Sequence, residues 1–121
     1  MSVFLTIPEN KIVYNGKHFF MIHDAYPVSK NHLLIISNEL REDYFSLTEE
    51  EQMELPKMIT KAKTIVEKEH SPDGYNIGMN CGEASGQTVM HFHCHIIPRY
   101  GGDVKDPRGG VRHCVMGKGY Y

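Results

Sequence analysis

The chain has 121 residues, 40% hydrophobic and 23% charged, which suits one compact domain with a single core, and pairing with a second copy would help so small a unit. A formal net charge of -2 with scattered Lys and Arg residues argues against duplex nucleic acid as a partner, and no apolar run approaches the roughly 20 residues that span a bilayer. Cys81, Cys94 and Cys114 form no Cys-x-x-Cys pair, and the N-terminus does not read as a leader, so the expected setting is reducing and cytoplasmic.

In chain order, Lys11 to Tyr14 and His18 to His23 are β-prone runs separated by Asn15-Gly16, which predicts a hairpin with positive φ angles at its turn. A polar, proline-containing loop over residues 24–31 leads to His32-Leu33-Leu34-Ile35-Ile36-Ser37, whose nearly continuous apolar character suits a buried central strand. Thr48, with Glu51 three residues on, has capping-box spacing, and Leu55, Met58, Ile59, Ala62, Ile65 and Val66 follow as one apolar helical stripe. Pro56 inside that stripe predicts a kink or an early break. Tyr75 to Asn80 reads as a strand, residues 81–86 as a small-residue loop, and Thr88 to Ile97 as a long strand. From about residue 100 the chain reads as a glycine-rich arm attached to one domain over residues 1–121. The resulting class is α+β, an antiparallel sheet with one main helix packed on it.

The strongest feature is His91-Phe92-His93-Cys94-His95-Ile96-Ile97. On a strand, side chains two apart share a face, so His91, His93 and His95 point one way and Phe92, Cys94 and Ile96 the other. Three polar rings on one face need three sets of hydrogen-bond partners, which makes a merely structural row improbable. Two chemistries remain open on these residues. Imidazoles could converge on a transition metal, with His32, Asp24 or Glu83 completing the ligand set, although no Cys pair or His-Glu motif accompanies them. Alternatively, one imidazole acts as a nucleophile toward phosphorus while its neighbours steady the phosphoryl oxygens, dividing one hard displacement into two easier ones.

The spacing His-φ-His-φ-His-φ-φ, with φ apolar, resembles the signature of the histidine triad family, and the resemblance extends to residues 80–89 and 24–35, covering roughly residues 10–100. It implies a twisted antiparallel sheet of about five strands, a homodimer, and nucleotide hydrolysis through a transient nucleotidyl-histidine. Carried over by position, His93 is the nucleophile. His91 orients it, its carbonyl accepting from Nδ1, and His95 and His32 donate to the phosphoryl group. Gln87 and Thr88 contact phosphate or bridging oxygens. Asp24 holds ribose hydroxyls, with a loop-capping Asp as the alternative. Asn80 faces the phosphates or leaving group, and Gly86 allows close backbone approach. Asn31 stands where many relatives have Gly, and Ser37 where many have Pro. Ser2-Val3-Phe4-Leu5 occupies the region where some members carry zinc cysteines, so no metal is assigned.

His95 is present where the transferase branch has glutamine, and the phosphoramidase branch's Trp-Pro-Pro-Gly ending is lacking. The resemblance therefore tilts toward the diadenosine polyphosphate hydrolases of the fragile-histidine-triad branch. An adenosine phosphoramidase, a purine-nucleotide-binding signalling protein with vestigial hydrolysis and a metalloenzyme stand as alternatives. No cofactor is implied beyond a divalent cation that can accompany a polyphosphate substrate. Arg99, Arg108 and Arg112 are candidates to reach a phosphate, and Cys94 is read as a core residue.

Overall fold

The computed structural model describes residues 2–121. Five strands form one sheet in the order β1-β2-β3-β5-β4, every neighbouring pair antiparallel: β1 Ile12–Asn15, β2 Phe19–His23, β3 Leu33–Ser37, β4 Gly74–Gly78 and β5 His93–Arg99. One helix, α1 Glu49–Glu67, crosses one face. The α+β class with one main helix is what the residue pattern predicted.

Strand β3 lies at the centre, and each of its residues is buried, which is why its apolar run is continuous rather than alternating. Leu33 and Ile35 join Phe19, Met21, Phe92, Cys94 and Ile96 against Leu55, Met58, Ala62 and Val66 of α1. Leu34 and Ile36 face the other way and pack with Phe20 and Ile22, covered by Phe4, Ile7 and Ile12 of the N-terminal segment. The sheet thus has a helix-covered face and a face covered by the first dozen residues.

Helix α1 starts where the sequence indicated. Glu51 N–H donates to Thr48 Oγ1 at 3.1 Å and Thr48 N–H to Glu51 Oε1 at 2.7 Å, closing the capping box. Glu51 is 2% exposed and also accepts from Arg41 Nε at 3.0 Å, so this cap is a buried ion pair. The predicted break at Pro56 does not occur; the helix continues to Glu67. Pro56 is exposed, so the carbonyl deprived of its intrahelical donor lies toward solvent rather than in the core.

Three further expectations need correction. Neither Asn15 nor Gly16 has a positive φ. The turn instead spans Gly16 to His18, with Gly16 N–H bonded to Phe19 O at 2.7 Å and the Glu54 carboxylate of α1 accepting from Lys17 and His18 N–H at 3.0 and 2.7 Å. Gly16 is closely packed: a Cβ there would lie 2.7 Å from Met58 Sδ and 3.2 Å from Phe19 O, so the buried Met58 side chain would have to shift to admit one. The long strand expected from Thr88 begins only at His93, because residues 87–92 bond outside the ladder. Phe92 N–H donates to Arg41 O at 2.6 Å, and Gln87 Nε2 to Glu42 O at 2.6 Å. Strand β4 ends at Gly78 rather than Asn80. Asn31 adopts φ 70°, the left-handed region that Gly and Asn tolerate, so its replacement of the family glycine preserves the loop turn. In the C-terminal arm, Gly110–Cys114 forms a short 3-10 turn against β4.

Candidate active site

The register of β5 on β3 decides which face the histidines occupy. His93 lies opposite Ile36 and His95 opposite Leu34, so both imidazoles continue the face of the N-terminal segment while Cys94 and Ile96 enter the helix-covered core. The burial of β5 alternates without a fault from His93 to Arg99. Cys94 is fully buried, its thiol pushed up to about 12 by burial, which removes it as a nucleophile.

His93 is half-buried, its ring edge-on to Phe4 at 5.0 Å and to His95 at 5.3 Å between centroids. Its Nδ1 lies 2.8 Å from the His91 carbonyl oxygen. A carbonyl only accepts, so Nδ1 carries the proton and Nε2 keeps its lone pair. His91 lies outside the ladder and is wholly buried, so it touches no ligand directly. Its Nε2 is 2.7 Å from Ser37 O and its Nδ1 2.7 Å from Ser2 Oγ. Burial lowers the His91 pKa, against the Ser37 bond that raises it, and the ring is neutral near pH 7.

His32, 2% exposed, is fixed in the opposite tautomer. Val28 N–H donates to its Nδ1 at 3.2 Å, which leaves the proton on Nε2, and Nε2–H donates to His95 Nδ1 at 2.9 Å. His95 must then carry its own proton on Nε2. Burial, with the nearby His93 and His32 rings, pushes His95 down to about 4 against the raising effect of Asp24; burial likewise lowers His32 against Asp24. Asp24 Oδ2 lies 3.4 Å from His32 Nε2 and 3.8 Å from His95 Nδ1, contacts with neutral rings rather than ion pairs, while its Oδ1 accepts from Tyr26 N–H at 2.8 Å. Asp24 therefore caps its own loop and also borders the imidazole cluster.

Asp24, His32 and His95 bring three potential ligand atoms within 4.8 Å of one another. The Val28 bond decides against a metal here, because an imidazole accepting at Nδ1 has no lone pair at Nε2 to offer an ion. Nor does the N-terminal segment fit zinc, since Ser2 and Leu5 supply a hydroxyl and an aliphatic chain, and the Ser2 oxygen bonds His91.

Two hollows adjoin these residues. One, of about 680 Å³, is lined by Ile7, Pro8, Ile12, Ile22, His23 and Asp24 among others. The other, of about 880 Å³, is lined by His95, Asn80, Glu83, Gly86 and Ile97, together with Val111 and Cys114 of the C-terminal turn. Gly86 adopts φ 97° with open space where a Cβ would stand, so backbone conformation rather than crowding calls for glycine. Gln87 is buried, and its amide is engaged by Gly82 N–H at 2.7 Å, Glu42 O at 2.6 Å and Val89 O at 3.2 Å, so the side chain holds the loop together. Thr88 is exposed and lines a separate recess with Ser2 and Val3. The three arginines have local partners: Arg99 with Asp103 and Asn76, Arg108 with Asp106, and Arg112 with the Gly119 carbonyl.

Sequence reasoning did not find Ser2, Phe4, the Ser37 carbonyl, the Val28 N–H or the apolar hollow of Ile7, Ile12 and Ile22. The available signal was that a buried imidazole such as His91 must find a partner for each ring nitrogen.

Comparison with known proteins agrees with this geometry. A family model described as "HIT domain" matches residues 6–102. AP-4-A phosphorylase of Mycobacterium tuberculosis is 32% identical over 100 residues, covering 82% of this chain and 51% of the relative, so the chain spans about half of that protein. The crystal structure of a HIT family protein from Bacillus subtilis superposes with a TM-score of 0.76 at 33% identity, covering 84% of this chain and 75% of that one. The C. elegans NitFhit structure gives a TM-score of 0.76 at 31% identity over 89% of this chain and 26% of that one. With the triad at the start of β5, His91 just before the strand and His93 and His95 on it, and a family match over most of its length, this chain belongs to the histidine triad (HIT) family.

Proposed function

We propose that the protein is a nucleotide hydrolase that cleaves a nucleoside 5′-phosphoryl bond, adenylyl by preference, through a covalent nucleotidyl-His93, with a diadenosine polyphosphate as the favoured substrate. The observation that carries this reading is the 2.8 Å bond from His93 Nδ1 to the His91 carbonyl, which leaves a partly exposed ring with a free Nε2 lone pair. In the first step Nε2 attacks the α-phosphorus, an N–P bond forms, and the P–O bond to the leaving group breaks, the electron pair departing with that oxygen. In the second step a water oxygen attacks the same phosphorus, the N–P bond breaks, and nucleoside monophosphate and a proton are released. His95 Nε2–H, its proton placed by the His32 relay, donates to a non-bridging phosphoryl oxygen. His32 is too buried to do more than position His95.

The hollow of Ile7, Ile12 and Ile22 suits a flat apolar base, and Asp24 in its lining supplies a carboxylate for ribose hydroxyls. The second hollow receives the leaving-group side, with Asn80 and the Gly86 backbone in its wall. Gln87 supports phosphate contact through the loop it holds, while Thr88, in a recess apart from both hollows, is left without a part in it. A homodimer and a cytoplasmic setting complete the proposal. Adenosine phosphoramidate uses the same chemistry with a smaller leaving group.

The relative named AP-4-A phosphorylase favours one variant, in which inorganic phosphate instead of water takes the nucleotidyl group. Rapid quenching of a reaction with diadenosine tetraphosphate, followed by mass spectrometry, is expected to show one nucleoside monophosphate on His93. Running it with and without phosphate separates release of the diphosphate from release of the monophosphate. An adduct on any other residue, or turnover that requires a tightly held transition metal, would overturn the assignment.

A further inference from the structure

The hydrogen bonds of His91 reach further than the triad. This ring is wholly buried and both its nitrogens are occupied, Nε2 by the Ser37 carbonyl at 2.7 Å and Nδ1 by Ser2 Oγ at 2.7 Å. A carbonyl has no proton to give, so Nε2 is the protonated nitrogen, and Nδ1 can bond Ser2 only as an acceptor. The Ser2 hydroxyl is therefore a donor to His91, and its remaining capacity accepts from Phe4 N–H at 3.1 Å. That second bond caps the turn Val3–Thr6 and holds the Phe4 ring edge-on to both His91, at 5.5 Å, and His93, at 5.0 Å.

A line of bonded atoms thus runs from Ser2 through the His91 ring to the backbone whose carbonyl fixes the His93 proton. If the hydroxyl is lost, His91 Nδ1 becomes a buried acceptor without a donor, and the ring relieves this by rotating, since the Ser37 carbonyl keeps the proton on Nε2. Rotation would strain the bond to Ser37 and displace the peptide that orients His93. Phe4 would lose its anchor at the same time and would no longer restrict the His93 ring.

We infer that Ser2 is a positioning residue of the active site, holding the His91 ring, whose tautomer the Ser37 carbonyl sets, in one orientation and, through the His91 carbonyl, aligning His93. This rests on His93 being the nucleophile. The residue touches no substrate, so its contribution lies in kcat: a small misalignment of an attacking atom costs rate while leaving ground-state binding almost intact.

The experiment compares wild type with Ser2→Ala, Ser2→Thr and His93→Ala, measuring steady-state kinetics on diadenosine tetraphosphate and ¹H–¹⁵N ring correlations of the histidines by NMR. In Ser2→Ala, kcat should fall about 10- to 100-fold with KM changed less than about threefold. The His91 Nδ1 resonance should shift as that nitrogen loses its donor, and Ser2→Thr, which keeps the hydroxyl, should restore both readouts. The inference is overturned if Ser2→Ala keeps its kcat, if only KM changes, if kcat falls while the His91 signals stay as in wild type, or if Ser2→Thr behaves like Ser2→Ala. His93→Ala separates the two claims. Full turnover in that variant would remove the nucleophile reading, while the NMR arm would still decide whether Ser2 holds the His91 ring through Nδ1.

Discussion

The two faces of β5 solve different problems with adjacent residues. On the helix-covered face Cys94 and Ile96, with Phe92 just before the strand, are buried among aliphatic and aromatic side chains and stabilise the fold by apolar burial. On the other face His93 and His95 stand half-buried, their protons placed by one carbonyl, a backbone amide and another imidazole. One face is dry and held by close packing; the other is polar, and its ring protons are placed by hydrogen bonds. A strand reads as both because its period of two keeps the sets from mixing.

Substitutions on the two faces should therefore separate activity from stability. The largest expected effect is on the histidine face. His93→Ala should lower kcat at least about 10⁴-fold, since it removes the attacking atom, while nucleotide binding measured by calorimetry changes less than about threefold and the melting temperature shifts little. Turnover near the wild-type rate would show that another group attacks phosphorus. On the helix-covered face, Phe92→Ala should cost about 3–5 kcal/mol of unfolding free energy in urea titrations, because a 1% exposed ring that meets Phe19 at 5.9 Å leaves a cavity behind. Its kcat per folded molecule should remain within about fivefold of wild type. A Phe92→Ala variant that is stable but inactive would mean the two faces are not independent.

Asp24 lies between the imidazole cluster and the apolar hollow, so it sharpens the comparison from the binding side. Asp24→Asn keeps an oxygen for the Tyr26 N–H and removes the charge. KM for a ribonucleotide substrate should rise about tenfold with kcat within about threefold, and a 2′,3′-dideoxy substrate should show little further loss in the variant. Equal losses on both substrates would make Asp24 a loop cap only.

The comparison also explains what was legible in the sequence. The helix-covered face depends on periodicity and local capping, and both are written in consecutive residues: Thr48 with Glu51, the stripe from Leu55 to Val66, the alternation after His93. The histidine face depends on long-range partners. Ser2 reaches His91 across 89 positions, and His32 reaches His95 across 63, spacings to which no local pattern points. Asn15-Gly16 misled for a related reason, because the glycine makes room for Met58 of α1 rather than bending the hairpin. Gln87 reads as a polar residue before the triad, and only the fold shows its amide bound to the backbone of residues 82, 42 and 89.

The smallest effect predicted is on stability as a function of pH, and it too belongs to the histidine face. His32, His91 and His95 all have pKa values below the usual 6.5, chiefly through burial, His95 at about 4. In the unfolded chain these groups take up protons near pH 6.5, and in the folded chain they resist until lower pH. Between those values the unfolded state binds more protons, so stability rises with pH there. The contribution is full above about pH 6.5 and is lost as pH falls toward 4. Thermal melts at constant ionic strength should show the midpoint dropping by several degrees between pH 7 and pH 5, on the order of 1 kcal/mol after allowance for partial exposure. His95→Gln should flatten that slope, because it removes the group whose folded and unfolded values differ by the stated margin. An unchanged slope in that variant would place the titration in His32, His91 or carboxylates instead, and the His95 ring would then have no measurable cost of protonation to set against its alignment by His32.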